Sequence, residues 1–300
     1  MTTEIPILKG RGYWADAWHR LRRNPFAMVC LAVVLLYVII ALLVAVGWIA
    51  GDYNQVHYDL KHRPPSRDYW MGTDIFGRDV FSRVLYGTKI ALWIGLMANA
   101  ISIPIGLIFG VLAGYFGKRI DDAVVYVYTT LASIPGILKL MALAYVFQDR
   151  TVLGVDLSGL NGVILALGIS GWVGTCRLIR GETLKLKESE YVMAARALGA
   201  SHFRIIFRHI VPNLLHIVII LFSLGFVGAI KAEVILTYLG LGAKVGTPSW
   251  GDMINGARSE LLQGHWWELT GACLALFFIV LALNILGDAL RDALDPRLRQ

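Results

Sequence analysis

Charge is scarce in this 300-residue chain: only 16% of its residues are Asp, Glu, Lys or Arg, against 57% hydrophobic. A soluble globular domain carries about 25% charged residues, so the shortage points into a bilayer. Cysteine is scarcer still. Cys30, Cys176 and Cys273 sit in or beside apolar runs without C-x-x-C spacing, which excludes a disulfide framework or thiolate metal site and leaves small buried hydrophobes. No phosphate loop of the form G-x-x-x-x-G-K-[ST] occurs, and the Gly117-Lys118 dipeptide is followed by Arg119. The chain is therefore not expected to hydrolyse ATP. Nor does its start read as a signal peptide, because the first apolar run is too long and no cleavage site follows.

What the chain does have is apolar length. A helix needs about 20 mostly apolar residues to cross the hydrocarbon core. Six segments qualify: Phe26–Ala50, Ile90–Tyr115, Ile120–Phe147, Leu160–Cys176, Ile210–Tyr238 and Gly271–Gly287. The expected fold is an all-α integral membrane protein with six transmembrane helices. An N-terminal tail, residues 1–25, precedes a six-helix membrane domain, residues 26–300.

Lys and Arg counts orient these spans. With the N-terminus inside, segments 1–25, 116–122, 177–209 and 288–300 hold 17 basic residues, whereas 51–89, 149–159 and 239–270 hold nine. Both termini are expected in the cytoplasm. The net charge of +7 is thus concentrated in inner loops and tails, which argues against nucleic-acid binding.

Before the first span, Tyr13, Trp14, Ala17, Trp18 and Leu21 share a helical face, with Arg20, Arg22 and Arg23 nearby. That pattern predicts an interfacial helix lying against membrane lipid. Trp48, Trp266 and Trp267 fall near outer span ends, where aromatic anchors belong. In GLIFGVLAG, Gly106, Gly110 and Gly114 recur every four residues and allow close approach of another helix, in this chain or another subunit.

Lys139 in the third span, and Lys231 and Glu233 in the fifth, lie at membrane depth. A charge at a helix centre costs about 2.5–3.5 kcal/mol on insertion scales, so each should face protein or water. Either they line a solute path and meet a carboxylate or backbone carbonyl, or Lys231 snorkels outward and Glu233 pairs with a basic neighbour. His57 and His62, beside Asp59, read as loop polarity and not as a metal site.

Between the fourth and fifth spans runs EYVMAARALGASHFRIIFRHIVPN, Glu190–Asn213. Tyr191, Ala194, Ala195 and Leu198 follow helical spacing, as do Phe203, Ile206, Phe207 and Ile210. Gly199 permits a sharp turn between them. Ser201 is positioned as an N-cap, and Pro212 falls in the first turn of the next span. Two short amphipathic helices result. They serve either as an elbow whose Arg204 and Arg208 meet anionic lipid, or as a rigid lever gripped by a cytoplasmic protein.

This stretch resembles the cytoplasmic-loop signature of permease subunits of binding-protein-dependent ABC importers: E-A-A, three residues, glycine, then a proline further on. Ala194, Ala195, Gly199 and Pro212 match, while Met193 stands where the family has glutamate; Glu190 lies on the same face. MGTDIFGRDVFSRVLYGTKIAL (Met71–Leu92), YLGLGAKVGTPSWGDMI (Tyr238–Ile254), NILGDALRDALDPRLR (Asn284–Arg299) and RRNP (Arg22–Pro25) are similar to stretches of the dipeptide, oligopeptide and nickel group. The subunit resembled is the second, shorter permease, and Glu233 matches a glutamate common there.

The resemblance implies a pore-forming subunit working with a second homologous permease, two cytoplasmic ATPases and a periplasmic or lipid-anchored solute-binding protein. ATP and Mg would sit on the ATPases, with no cofactor on this chain, and dipeptides or oligopeptides would be the solutes. Glu190–His209 becomes the coupling handle, bent at Gly199, with Tyr191, Leu198 and Phe203 as apolar knobs. Two rival readings remain. GISG, Gly168–Gly171, places Ser170 in the fourth of six spans, as rhomboid-type proteases do, but such a serine needs a base. The sixth span has no histidine. A secondary transporter often shows inverted repeats, and none is convincing here.

Overall fold

The computed structural model describes residues 13–148, 150–152, 154–242 and 246–294. After α1 (Tyr13–Arg23), Asn24 accepts a hydrogen bond from the Ala27 amide at 3.2 Å, and Pro25 opens α2 (Pro25–Val46), which Gly47 ends in the left-handed conformation. That is the capping chemistry encoded by RRNP. Asp79 caps α3 (Val80–Phe116) by accepting from the Phe81 and Ser82 amides. The helix thus starts well before Ile90: Arg83 and Lys89 interrupt the apolar run without interrupting the helix.

The third span is broken. α4 (Lys118–Ser133) and α5 (Gly136–Phe147) meet at 94°, although one continuous span over Ile120–Phe147 was expected. Pro135 explains the break: it offers no N–H to the preceding turn and drives Ile134 into extended backbone. A hairpin of two-residue strands, β1 (Thr151–Val152) and β2 (Val155–Asp156), follows. α6 runs from Leu160 to Lys187, past the expected end at Cys176. Next come α7 (Glu190–Ala197) and α8 (His202–Ile205), which continues through a π turn, Ile206–Ile210, into α9 (Val211–Tyr238). In that turn the Val211 amide reaches back five residues to the Ile206 carbonyl. The widened turn lies immediately before Pro212, whose missing N–H and bulky ring would crowd a regular one. α10 (Trp250–Leu261) and α11 (Trp267–Leu294) complete the fold. Among the described residues five helices are long and apolar enough to cross a membrane, or six if the bent pair is one span.

α3 and α6 form the central pair. A Cβ on Gly106 would lie 2.6 Å from Thr175, one on Gly110 2.9 Å from the Cys176 carbonyl, and one on Gly114 2.7 Å from Thr183. The helix that these glycines admit is therefore α6 of the same chain. α1 does not lie free: Ala17 and Leu21 are buried against α11 and α2, whereas Trp18 faces outward. The Tyr13 and Trp14 side chains lie outside the described residues. Trp48 and Trp266 are exposed, but Trp267 is buried and donates to the Thr73 carbonyl at 2.8 Å, so it is core and not an interface anchor. Cys30 and Cys176 are buried as expected; Cys273 is exposed on α11.

Candidate functional site

The end of the bundle carrying α7 and α8 presents the first site. Gly199, at φ +80°, makes the turn between them, and the Ser201 hydroxyl accepts from the Arg204 amide at 3.3 Å. Beneath the turn Val192, Ile205 and Ile210 are fully buried against Val111, Tyr115, Ile179 and Leu214 of α3, α6 and α9. Each such burial contributes roughly 1.5–3 kcal/mol, enough to make α7–α8 a rigid extension of the bundle. Tyr115 fastens it further: its hydroxyl lies 2.8 Å from His202 Nδ1, and the Arg196 guanidinium sits 6.0 Å over its ring. On the outer surface Glu190, Tyr191, Met193, Ala194 and Leu198 are exposed, Leu198 at 88%, with Ala195 half-buried.

The expected apolar face of the second helix splits. Ile206 and Ile210 point into the bundle, while Phe203 and Phe207 stay outside, their rings 4.3 Å apart. The π turn rotates successive side chains away from simple helical register. Val192, the keystone of the elbow, lies off the spacing that singled out Tyr191, Ala194 and Leu198, so periodicity alone passes over it. Nearby, Arg180 of α6 grips Asp121 of α4 with two hydrogen bonds, the Nη2–Oδ2 contact being 2.6 Å.

A cavity of about 230 Å³ lies deeper, between α3, α5, α6 and α9. Asn99, Ser102, Ser170 and Thr175 supply its polar lining, and Gly171, Gly225 and Gly228 open space. Asn99 donates to the Gly95 carbonyl at 2.7 Å. Among the described residues no histidine lines the cavity that Ser170 faces.

The three charges singled out at membrane depth are not gathered here. Lys139 donates to the Leu131 carbonyl across the α4–α5 break at 3.3 Å, where the end of α4 leaves carbonyls unpaired. Lys231 is exposed. Glu233 is buried at 1% exposure, accepting from Thr237 Oγ1 at 2.8 Å and bonded to Ser249, so its partners are hydroxyls and not a basic neighbour.

The opposite end is closed by a cap that the sequence disclosed only through likeness. Asp74 accepts from the Phe76 and Arg78 amides at 2.8 and 2.9 Å and holds the Arg78 guanidinium. Gly77 is obligatory in this turn, since a Cβ would lie 1.8 Å from the His57 carbonyl oxygen. Arg83, on the first turn of α3, reaches Asp74 at 2.6 Å, Glu268 at 2.8 Å and Asp252 at 3.1 Å, so one guanidinium joins the loop before α3, α10 and α11. Glu260 accepts from the Ile75 amide at 3.1 Å, with His62 Nδ1 3.9 Å away. Burial pushes the Asp252 and Glu260 carboxyls above the usual range and holds the His62 imidazole below its own. His62 stacks on His265 at 4.1 Å, and no group of three or more metal-ligating side chains occurs among the described residues. Trp250 of α10 pins the cap to α3 through the Val84 carbonyl, in the space that Gly87 leaves.

Comparison with known proteins matches residues 106–300 to the family described as binding-protein-dependent transport system inner membrane component, and residues 12–65 to the N-terminal TM domain of oligopeptide transport permease C. The chain belongs to this permease family. It is 39% identical over 290 residues to the dipeptide transport system permease protein DppC of Bacillus subtilis (strain 168), covering 96% of this chain and 87% of that protein. Identity to the oligopeptide permease OppC of the same organism is 36%, covering 97% and 92%. The glutathione transport system permease protein GsiD of Escherichia coli O6:K15:H31 is 39% identical over 300 residues, covering 98% and 95%. Among solved structures, an inward-facing MetNI methionine ABC transporter chain superposes with a TM-score of 0.54 at 17% identity, covering 72% of the permease and 96% of that chain; this likeness concerns the fold. The protein is thus a multi-pass permease component of an ABC importer and not itself an enzyme.

Proposed function

We propose that the permease forms one half of the pore of a peptide importer and is moved by ATPases that grip its α7–α8 elbow. A second homologous permease completes the pore, and two cytoplasmic ATPases bind ATP and Mg. A periplasmic or lipid-anchored binding protein delivers dipeptides or oligopeptides to the cap end. Both termini and the elbow face the cytoplasm. The observation that carries this reading is the elbow's construction: exposed apolar Tyr191 and Leu198 stand on a fully buried Val192, Ile205 and Ile210. An apolar tip on a rigid base suits a docking contact that must transmit rigid-body motion.

The solute path runs by the cavity, whose uncharged hydrogen-bonding lining suits peptide amides, and Lys139 at the α4–α5 break offers a charge to a solute carboxylate. Relatives named for dipeptide, oligopeptide and glutathione transport support a short amide-containing solute. Uptake of labelled di- and tripeptides by vesicles containing the whole importer tests the solute class; uptake of nickel without peptide competition would contradict it. Unchanged uptake and solute preference in Lys139→Met would remove that residue from the path.

A further inference from the structure

Serine and threonine hydroxyls on α3 and α6 fall into two groups. The satisfied ones include Thr88 on α3 and Thr183 on α6, which donate to the carbonyl four residues back at 3.3 and 2.7 Å. Ser102 on α3, with Ser170 and Thr175 on α6, makes up the other group. None of the three hydroxyls bonds to a described residue, and all three line the cavity of about 230 Å³. Ser102 and Thr175 are each only 7% exposed. Buried polar groups are nearly always hydrogen-bonded, so unpartnered hydroxyls around one void point to a ligand inside it.

The remaining walls set its shape. Asn99 donates to the Gly95 carbonyl at 2.7 Å, which fixes its carboxamide with Oδ1 against Gly225; a Cβ there would lie 2.2 Å away. Gly171 is also hemmed in, with the Ser102 Cβ 3.1 Å from its Cβ position. Gly228 differs: a Cβ there meets nothing within 4 Å, and the residue is exposed at the cavity's mouth. The room beside it is space that the fold could fill and does not. Pockets that enclose a drug-sized ligand measure roughly 300–1,000 Å³. This smaller one suits a single peptide unit with an adjacent side chain, not a whole oligopeptide.

We propose that Ser102, Ser170 and Thr175 hydrogen-bond a peptide unit of the solute, and that Gly228 determines how large a side chain can accompany it. The assignment rests on the reading above, in which peptides pass this cavity. A hydroxyl can donate to a peptide carbonyl or accept from its N–H, so these three read a group that every peptide carries. Gly228 reads what differs between peptides, because a side chain at that position competes with the solute for the same space.

The test uses the complete importer in vesicles, with its binding protein saturated by Gly-Gly or by a bulkier dipeptide, Ala-Ala or Leu-Leu. The parent is measured first: uptake of no peptide would end the reading above and this assignment with it. In Gly228→Val the ratio of bulkier-peptide to Gly-Gly uptake should fall about tenfold, and Gly228→Ala should give a smaller fall. Gly174→Val is the control, since its Cβ also meets nothing within 4 Å but the residue does not line the cavity. Its ratio should match the parent's. Ser102→Ala and Thr175→Val keep the carbon atoms that pack on Gly171 and Gly106. Each should lower uptake of all the peptides about fivefold while leaving their ratio and the thermal midpoint near the parent's. With the parent active, equal loss of all peptides in both Gly228 variants, an unchanged ratio, or the same change in Gly174→Val overturns the size role. Full uptake by both hydroxyl variants overturns the hydrogen bonds.

Discussion

The Tyr115 hydroxyl at the end of α3 and His202 Nδ1 at the start of α8 lie 2.8 Å apart. Through this contact the longest helix of the bundle is tied to the elbow that leads into α9. A force on α7–α8 is thereby shared between α3, α6 and α9.

Leu198 is the most exposed apolar side chain of the elbow and contributes nothing to the core beneath it. Leu198→Asp should leave the thermal midpoint nearly unchanged, as surface changes within about 0.5 kcal/mol do. It should weaken docking by about 2 kcal/mol, roughly thirtyfold in affinity. Pull-down of the ATPases by tagged permease measures the first loss, and uptake by vesicles the second.

Gly199 has open space around its Cβ position, so only its φ of +80° resists substitution. Gly199→Val should cost about 1–2 kcal/mol at the turn, while Gly199→Asn should be tolerated far better. Stimulated ATPase activity that fell equally in both variants would show that something other than backbone conformation governs the position.

Gly110 meets the Cys176 carbonyl, which cannot yield as a side chain could. Gly110→Leu should force α3 from α6 and cost about 1–3 kcal/mol. Gly174→Ala on α6 meets nothing within 4 Å and serves as the control. Thermal unfolding of the two purified complexes measures the difference.

The cap should respond to pH in two opposed ways. His62 has a lowered pKa in the fold, so the unfolded chain takes its proton first as pH falls through 6.5, and stability is lost. Glu260 has a raised pKa, so its contribution is complete below 4.5, the unfolded value, and is lost as pH rises toward the folded value. Relative to the parent, His62→Gln should therefore gain thermal stability as pH drops from about 7 to 5, and Glu260→Gln as pH rises from about 4.5 to 7. Parallel curves for parent and variants would show that neither group titrates on unfolding.

Much of the fold was legible because membrane spans obey length and hydropathy, and because Ser201 and Gly199 declare helix ends through local chemistry. The break at Pro135 was legible in principle, since proline disrupts the helix ahead of it, but the apolar run on both sides concealed it. The cavity was not legible: Asn99, Ser102, Ser170 and Thr175 are small polar residues on two helices, and only packing brings them to one void. Long-range pairing likewise hid the role of Arg83, whose carboxylates at Asp252 and Glu268 lie 169 and 185 residues away. Charge at membrane depth drew attention to Glu233, which the structure turns toward hydroxyls under α10.

The most direct test of the central claim is site-specific photocross-linking in the assembled importer, with p-benzoylphenylalanine placed at position 198. The account predicts adducts with the nucleotide-binding subunits, whose yield changes between nucleotide-free and ATP-bound states. Adducts with lipid alone, while the ATPases cross-link through another surface of the permease, would contradict it.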